Sequence, residues 1–326
     1  MLVDLVHHVP QFLEHLPPVA LAQLLASCVS LRKHVHEHVT KISCAMGCHD
    51  VRVLTTGVWP HLTHLELKHS KTLDVQSVSQ LAKATHLQLQ SLNLSYSNID
   101  SCLAAVLLSV AYPDLKSLHL AGNNLTTSMT YLADAHLPLL EKLNLHASKL
   151  DTQSMAALSR GSWLKLKTLT LAGNSINTPG IQYLAGAHWP QLEAINLNDT
   201  DLDGSAMIML VCCKWPCLQT LGLNQNHLYH IGELPGTSQF SSLKHLHLNA
   251  SNLTDYSLRQ LSKPRWSQLE TIDLSNNRLY NISTLVQASW PALKGIRLDG
   301  NPLAADFMAH LSKGDWPLLE RLYLCR

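Results

Sequence analysis

The segment Leu166-Lys-Thr-Leu-Thr-Leu-Ala-Gly-Asn-Ser-Ile176 carries the pattern that decides the fold of this chain of 326 residues. It consists of a Leu-x-x-Leu-x-Leu core, a small polar residue three positions later and an aliphatic residue two positions beyond that. The core, with Ile in place of its second leucine in some copies, starts at Leu62, Leu89, Leu115, Leu140, Leu166, Leu192, Leu218, Leu243, Leu269, Leu293 and Leu319. The chain therefore holds ten full copies and the beginning of an eleventh.

This spacing predicts a strand with one apolar face. Alternate residues of a strand point to opposite sides, so the fourth and sixth core positions, Leu169 and Leu171, enter the core together. The small polar residue, Asn174 in this copy, is expected to hydrogen-bond backbone groups in the following turn. Because a single copy cannot bury its apolar face, neighbouring copies must stack to form a continuous core.

The pattern resembles the leucine-rich repeat and implies the fold of that family. The second half of each copy favours a helix, as in Leu150-Asp-Thr-Gln-Ser-Met-Ala-Ala-Leu158, which opens with polar cap candidates. We therefore predict an α/β solenoid over residues 51–326. It is expected to form a horseshoe with a parallel inner sheet of about eleven strands and with helices on the outside.

One copy departs from the helical pattern in its second half. After Leu228 the chain contains Gly232, Pro235 and Gly236 where the other copies have helix-forming residues. Glycine and proline interrupt helices, so we expect an irregular loop on the outer side of this copy.

All seven tryptophans occupy the same position, three residues before the first leucine of a copy. They are Trp59, Trp163, Trp189, Trp215, Trp266, Trp290 and Trp316. Large aromatic side chains usually lie where they bury surface area. We therefore interpret them as packing residues between adjacent copies rather than as ligand-binding aromatics.

The third, fifth and seventh positions of each copy face away from the core and form the inner surface of the predicted sheet. Most of these side chains are small and polar, without a lysine or arginine stripe that could follow a nucleic acid backbone. Aromatic and arginine side chains dominate protein-binding hot spots, which favours a protein partner at the C-terminal third of this surface. The predicted contact residues are Asp273, Arg297, Asp299, Arg321 and Tyr323. A solvated sheet without a partner is the alternative.

Composition excludes several classes of protein. The chain has 24 Lys+Arg and 23 Asp+Glu, and this balance lacks the positive charge of a general nucleic acid or anionic membrane binder. No run of 18 apolar residues predicts a membrane span. The first ten residues contain an aspartate and two histidines, which a secretory signal would not tolerate. With eight cysteines that form no paired clusters, the sequence predicts a cytoplasmic or nuclear protein.

Residues 1–50 precede the repeats and follow a different pattern. Apolar residues recur at helical spacing from Leu21 to Val35, after a turn at Leu16-Pro17-Pro18. Together with the start at Val9-Pro10, this segment resembles an F-box over residues 9–42. F-box proteins are similar in a second respect, since many of them carry leucine-rich repeats of this length.

The resemblance implies a short helical N-terminal module that docks on the Skp adaptor of a cullin ubiquitin ligase, while the repeats hold the substrate. Carried over position by position, the residues that form or face the adaptor interface are Pro10, Leu13, Leu16, Pro17, Leu21, Leu24 and Cys28. The alternative is an N-terminal cap that only shields the apolar end of the repeat array.

The same region contains side chains that zinc prefers. They are His34, His36, His38, Cys44, Cys48 and His49. The chain has 20 histidines, so a cluster by coincidence is favoured, and we predict neither a metal nor a cofactor. No combination of nucleophile, base and acid follows from the spacing, and we do not expect an enzyme.

The predicted function is therefore protein binding, as the substrate-recognition subunit of a ubiquitin ligase of the Skp-cullin-F-box type. The alternative is a plain repeat scaffold, or a fragment of a larger receptor or regulatory protein, without a role in ubiquitination. The sequence ends within a repeat core, at Leu319-Glu-Arg-Leu-Tyr-Leu-Cys-Arg326. Since a solenoid needs a terminal cap, we expect either an exposed last strand or a natural protein that continues beyond this point.

Overall fold

The computed structural model describes residues 40–43, 59, 61–71, 73–83, 88–236 and 240–325. The chain divides into two compact units, Met1–Lys149 and Leu150–Arg326, which we call unit 1 and unit 2.

Parallel strands of three residues follow one another in chain order in both units. Those of unit 1 are β1 (Lys41–Ser43), β2 (His64–Glu66), β3 (Ser91–Asn93), β4 (Ser117–His119) and β5 (Lys142–Asn144). Those of unit 2 are β6 (Thr168–Thr170), β7 (Ala194–Asn196), β8 (Thr220–Gly222), β9 (His245–His247), β10 (Thr271–Asp273), β11 (Gly295–Arg297) and β12 (Arg321–Tyr323). Within each unit every strand pairs with the next, and the leucines and isoleucines of the repeat cores stand in register.

The repeat pattern did not predict strand β1. It pairs in parallel with β2, with Ile42 opposite Leu65, and the Ile42 side chain is buried. The sequence Val39-Thr-Lys-Ile-Ser-Cys44 contains the same spacing of apolar residues as a repeat core, but with valine and cysteine in two of the three leucine positions. Because of these two residues, the segment does not match the leucine pattern, and the strand was not predicted.

Helices follow most strands, as the sequence predicts. In the part of the chain that the structure describes they are α1 (Val75–Lys83), α2 (Ser101–Leu108), α3 (Met129–Asp134), α4 (Thr152–Leu158), α5 (Asn177–Ala185), α6 (Ser205–Val211), α7 (Asp255–Leu261) and α8 (Phe307–Leu311). Four of these helices, α1, α2, α4 and α7, start with a side-chain cap. At α4 the Asp151 carboxylate accepts the Ser154 backbone N–H at 2.8 Å, in a capping box. No helix among these residues is long and apolar enough to cross a membrane.

The shortest repeat has a 3₁₀ turn in place of its α-helix. Cores that start 26 residues apart, as at Leu166 and Leu192, leave room for α5, which has nine residues. The shortest spacing, 24 residues between Leu269 and Leu293, leaves only the 3₁₀ turn Leu285–Gln287 in place of an α-helix. This turn was not predicted, because a helical pattern alone does not show whether enough chain is present to complete it.

The irregular loop predicted after Leu228 is confirmed for residues 229–236, which contain no helix or strand. The loop is nevertheless anchored in the core, because Ile231 and Leu234 are buried. Gly232, Pro235 and Gly236 thus change the local conformation without removing the apolar contacts of the repeat.

The core consists of the repeat leucines and the tryptophan position, as predicted. Leu169 and Leu171 are fully buried, whereas Thr168 and Thr170 between and beside them are half-buried on the opposite side of the strand. The tryptophans are buried, and several in unit 2 stack on the ring of the neighbouring repeat. Ring centroids lie 6.2 Å apart for Trp163 and Trp189 and 6.4 Å apart for Trp189 and Trp215.

The small polar residue of each repeat hydrogen-bonds backbone groups, as predicted, but in two alternating ways. From Asn174 to Asn277 amide and hydroxyl side chains alternate at this position, in the order Asn174, Thr200, Asn226, Ser251 and Asn277; the next repeat carries a second amide, Asn301. Asn226 accepts the backbone N–H groups of Thr200 and Leu202 through Oδ1, at 3.2 and 3.0 Å.

Asn226 and Ser251 both donate to backbone carbonyl oxygens, but only the amide side chain also accepts backbone N–H groups. The Asn226 Nδ2 donates to the Leu197 and Leu223 carbonyl oxygens, at 2.8 and 3.0 Å. The Ser251 hydroxyl donates to the Leu223 carbonyl at 2.7 Å, and the Ser251 N–H donates to the next amide, Asn277 Oδ1, at 3.0 Å. Every second repeat therefore supplies the acceptor on which its neighbour depends.

Candidate functional site

The candidate site lies on the face of β6 to β12 that is turned away from the core. We call it the strand face; it is formed by the third, fifth and seventh positions of the repeats in unit 2. The predicted assignment of these positions is confirmed, because the strands show a buried central residue between two more exposed neighbours in most copies.

Three of the five predicted contact residues stand side by side on adjacent strands. In the register of the sheet Asp273 of β10 lies opposite Arg297 of β11, which in turn lies opposite Tyr323 of β12. The Arg297 guanidinium carbon lies 5.0 Å from the centroid of the Tyr323 ring, within the range of a cation–π contact. We call Asp273, Arg297, Asp299, Arg321 and Tyr323 the charged cluster.

The two carboxylates of the charged cluster are held by hydrogen bonds. Asp299 Oδ2 lies 3.4 Å from Arg297 Nε, and Asp299 Oδ1 accepts the Cys325 backbone N–H at 3.1 Å. Asp273 Oδ1 accepts the Ser275 backbone N–H at 3.0 Å and also the Ser275 hydroxyl. Arg297 is therefore fixed between an aromatic ring and a carboxylate, which reduces the entropy that it would lose in a complex.

Arg321 is placed apart from the other four residues. It stands opposite Gly295 in the sheet, so no side chain of β11 contacts it from that position. It forms no ion pair within the residues that the structure describes, and its side chain is exposed. Arg321 is thus a positive charge on the strand face that a negatively charged group could approach.

A groove of about 310 Å³ lies beside the charged cluster, over β6 to β9. It is lined by Thr168, Leu169, Thr170, Ala194, Ile195, Asn196, Asn198, Thr220, Gly222, Asn224 and His247. Its floor is low because Gly222 has no side chain at the position where β7 and β9 carry Asn196 and His247. These residues were predicted to lie on this face but not to form a site; Gly222 within a row of polar side chains was the available signal.

His247 connects the groove with the charged cluster. It lies opposite Asp273 in the sheet and is half-buried. Burial holds the pKa of its imidazole below the usual value, and the neighbouring His245 acts in the same direction, whereas the Asp273 carboxylate opposes both effects. The lowered pKa favours the neutral imidazole at pH 7, which can accept a hydrogen bond as well as donate one.

This arrangement predicts how His247 responds to its neighbour. The variant Asp273→Asn should lower the pKa of His247 further, since the substitution removes the carboxylate that raises it. An NMR titration of the imidazole signals measures the change. Asp299→Asn is the control and should leave the pKa of His247 where it is; an unchanged or higher pKa in Asp273→Asn would contradict the assignment.

The other predicted sites fall on parts of the chain outside the described residues. These are the adaptor-facing residues Pro10, Leu13, Leu16, Pro17, Leu21, Leu24 and Cys28, and the histidine and cysteine cluster between His34 and His49. The adaptor interface stays a prediction from the sequence, and so does the absence of a metal that we predict for the cluster. In the ranges that the structure does describe, no group of three or more His, Cys, Asp or Glu side chains is arranged to hold a metal ion.

Comparisons with known proteins identify the fold. No protein-family model and no curated protein matches the chain. A crystal structure of an internalin (inlF) from Listeria monocytogenes is similar, with a TM-score of 0.57, 17% identity, and coverage of 89% of this chain and 82% of the internalin. A crystal structure of a TDR receptor has a TM-score of 0.50 and 18% identity, and the similarity covers 84% of this chain and 46% of the receptor. At these identities the likeness concerns the fold, and the chain has the α/β leucine-rich-repeat fold.

Proposed function

We propose that the chain is a protein-binding module and that its partner contacts the strand face of unit 2 at the charged cluster. The observation that carries this proposal is the row of Asp273, Arg297 and Tyr323 on adjacent strands, with the arginine pre-positioned over the tyrosine ring. Arginine and tyrosine are among the side chains that contribute most to protein–protein affinity. The row therefore supplies a small, rigid anchor within an otherwise polar face.

Site-specific cross-linking tests this proposal in the intact chain. A photoreactive amino acid at Tyr323 should capture a partner in cells, whereas the same group at Tyr183, an exposed residue of helix α5, should not. Arg297→Ala should weaken the captured complex by at least about tenfold, the loss expected for a hot-spot residue. Equal capture at both positions, or no capture at Tyr323, would refute the strand face as the binding surface.

For the finer function, we propose substrate recognition for a ubiquitin ligase of the Skp-cullin-F-box type. The resemblance of residues 9–42 to an F-box, next to repeats of the matching kind, supports this assignment. This assignment implies that the protein acts in the cytoplasm or nucleus. The alternative is a repeat scaffold, or part of a larger receptor or regulatory protein, that binds its partner without connecting it to a ligase.

Direct binding of a purified Skp-type adaptor distinguishes the two. The intact chain should bind the adaptor, and replacing Leu16 and Leu21 together by aspartate should abolish binding. Leu164→Asp, at an exposed leucine of unit 2, is the control and should bind as the native chain does. An intact chain that fails to bind the adaptor leaves the scaffold alternative.

A further inference from the structure

The orientation of three asparagine side chains in the groove is fixed by the backbone. The Asn198 N–H donates to Asn196 Oδ1 at 3.0 Å, and the Asn224 N–H donates to Asn198 Oδ1 at 2.8 Å. The Asn249 N–H donates to Asn224 Oδ1 at 2.8 Å. A backbone N–H can only donate, so in each case the amide oxygen must face the sheet and the Nδ2 group must point the other way.

These three Nδ2 groups have no acceptor among the residues that the structure describes. The next side chain in the series behaves differently, because Asn249 Nδ2 donates to Ser275 Oγ at 2.6 Å. Asn196, Asn198 and Asn224 are half-buried and line the groove. The groove thus presents a set of hydrogen-bond donors that the protein itself does not use.

The walls of the groove restrict what can occupy it. No aspartate, glutamate, lysine or arginine lines it, so it neither repels an anion nor offers the charges that a phosphate backbone requires. Its floor depends on Gly222: a Cβ atom there would lie 2.9 Å from Asn198 Oδ1 and 3.2 Å from Asn196 Oδ1. The volume of about 310 Å³ admits a short stretch of extended chain and not a folded element.

We infer that the groove binds an extended, acidic polypeptide segment of the partner, whose carboxylate and carbonyl oxygens accept hydrogen bonds from the three asparagine side chains. The inference rests on the proposed function, since the segment belongs to the protein that contacts the charged cluster. Charge-assisted hydrogen bonds to carboxylates are stronger than neutral ones, which favours acidic over amide side chains. A basic segment would place the N–H donors of its lysine or arginine side chains against the Nδ2 donors of the groove.

The substitution of asparagine by aspartate tests this with little change of structure. In Asn196→Asp and Asn224→Asp one carboxylate oxygen still accepts the same backbone N–H, while the outward Nδ2 donor becomes an anionic oxygen. Asn144→Asp in β5 is the matched control for Asn196→Asp, because Asn144 occupies the same repeat position in unit 1 and its Oδ1 accepts the His146 N–H at 3.0 Å. All three variants should unfold at the denaturant concentration of the native chain.

The probes are three fluorescent peptides of equal length, in which serine alternates with glutamate, glutamine or lysine. The glutamate peptide should bind the native chain and Asn144→Asp with equal affinity, and should bind Asn196→Asp and Asn224→Asp at least about tenfold more weakly. In NMR spectra of the native chain, it should shift the side-chain amide signals of Asn196, Asn198 and Asn224.

Any of three results would overturn the inference: no binding at millimolar peptide, equal affinity for the glutamate and lysine peptides, or unchanged affinity in both groove variants. These results leave the proposed function intact if cross-linking at Tyr323 still captures a partner. A failure of the proposed function has a different signature, because cross-linking at Tyr323 is then lost whatever the peptides do.

Discussion

The variant Trp189→Ala should lose about 3–5 kcal/mol of the free energy of unfolding, the range for removal of a buried tryptophan from a core. The indole is fully buried between the rings of Trp163 and Trp215, so the substitution leaves a cavity that touches two further repeats. It also removes the hydrogen bond that Trp189 Nε1 donates to the Gly161 carbonyl oxygen, at 3.1 Å. Denaturant titration of the intact chain measures the loss.

Tyr183→Ala is the matched control for this variant. Tyr183 lies in the helix of the same repeat, but 42% of its surface is exposed, so the change should stay within about 0.5 kcal/mol. Similar losses in the two variants would show that the tryptophan position does not carry the packing between repeats. A binding defect in Trp189→Ala without a loss of stability would instead favour a ligand-binding role for the ring.

The variant Asn226→Ala should lose about 3–5 kcal/mol of the free energy of unfolding, because it leaves two buried backbone N–H groups without an acceptor at about 1–3 kcal/mol each. The N–H groups of Thr200 and Leu202 lose their acceptor. The carbonyl oxygens of Leu197 and Leu223 lose the Nδ2 donor but keep the hydroxyl donors of Thr200 and Ser251. Asn226 is fully buried, so water cannot replace these bonds without opening the turn.

Ser251→Ala, one repeat later, shows how much a hydroxyl contributes at the small polar position, in comparison with the amide of Asn226. Its hydroxyl donates to the carbonyl oxygens of Leu223 and Asn249 but accepts no backbone N–H, and alanine nearly matches its shape. The loss should be about 1 kcal/mol. Equal losses in Asn226→Ala and Ser251→Ala would contradict the alternation, since it assigns the acceptor role to the amide side chains.

The repeat pattern predicted the positions of the charged cluster on the sheet but not the contacts between its side chains. Asp273, Arg297 and Tyr323 were placed on the strand face because each takes the fifth position of its copy. Their adjacency follows too, since parallel strands in register bring equal positions together. The contact of Arg297 with both Tyr323 and Asp299 did not follow, because the reach of a long side chain depends on rotamers that a pattern does not specify.

The orientation of the asparagine amides in the groove could not be predicted from the sequence pattern. Asn196, Asn198 and Asn224 are three polar residues among many in the sequence, and their residue type does not show which end of the amide faces outward. That orientation is decided by backbone N–H groups on the same and the neighbouring strand, up to 26 residues away. The charged cluster could therefore be predicted from the sequence, whereas the amide donors beside it could not.

The sequence by itself determined the register of the repeats, the burial of Leu169 and Leu171, the packing role of the tryptophans and the position of the irregular loop. Each of these depends on residues within one copy, and the periodicity repeats the same local choice until it is unambiguous. Four features became apparent only in the tertiary structure. They are strand β1, the 3₁₀ turn Leu285–Gln287, the alternating hydrogen bonds of the small polar residues and the free amide donors of the groove. These arise between copies, where the partner of a hydrogen bond or the space for a helical turn is set by a neighbour some 26 residues away.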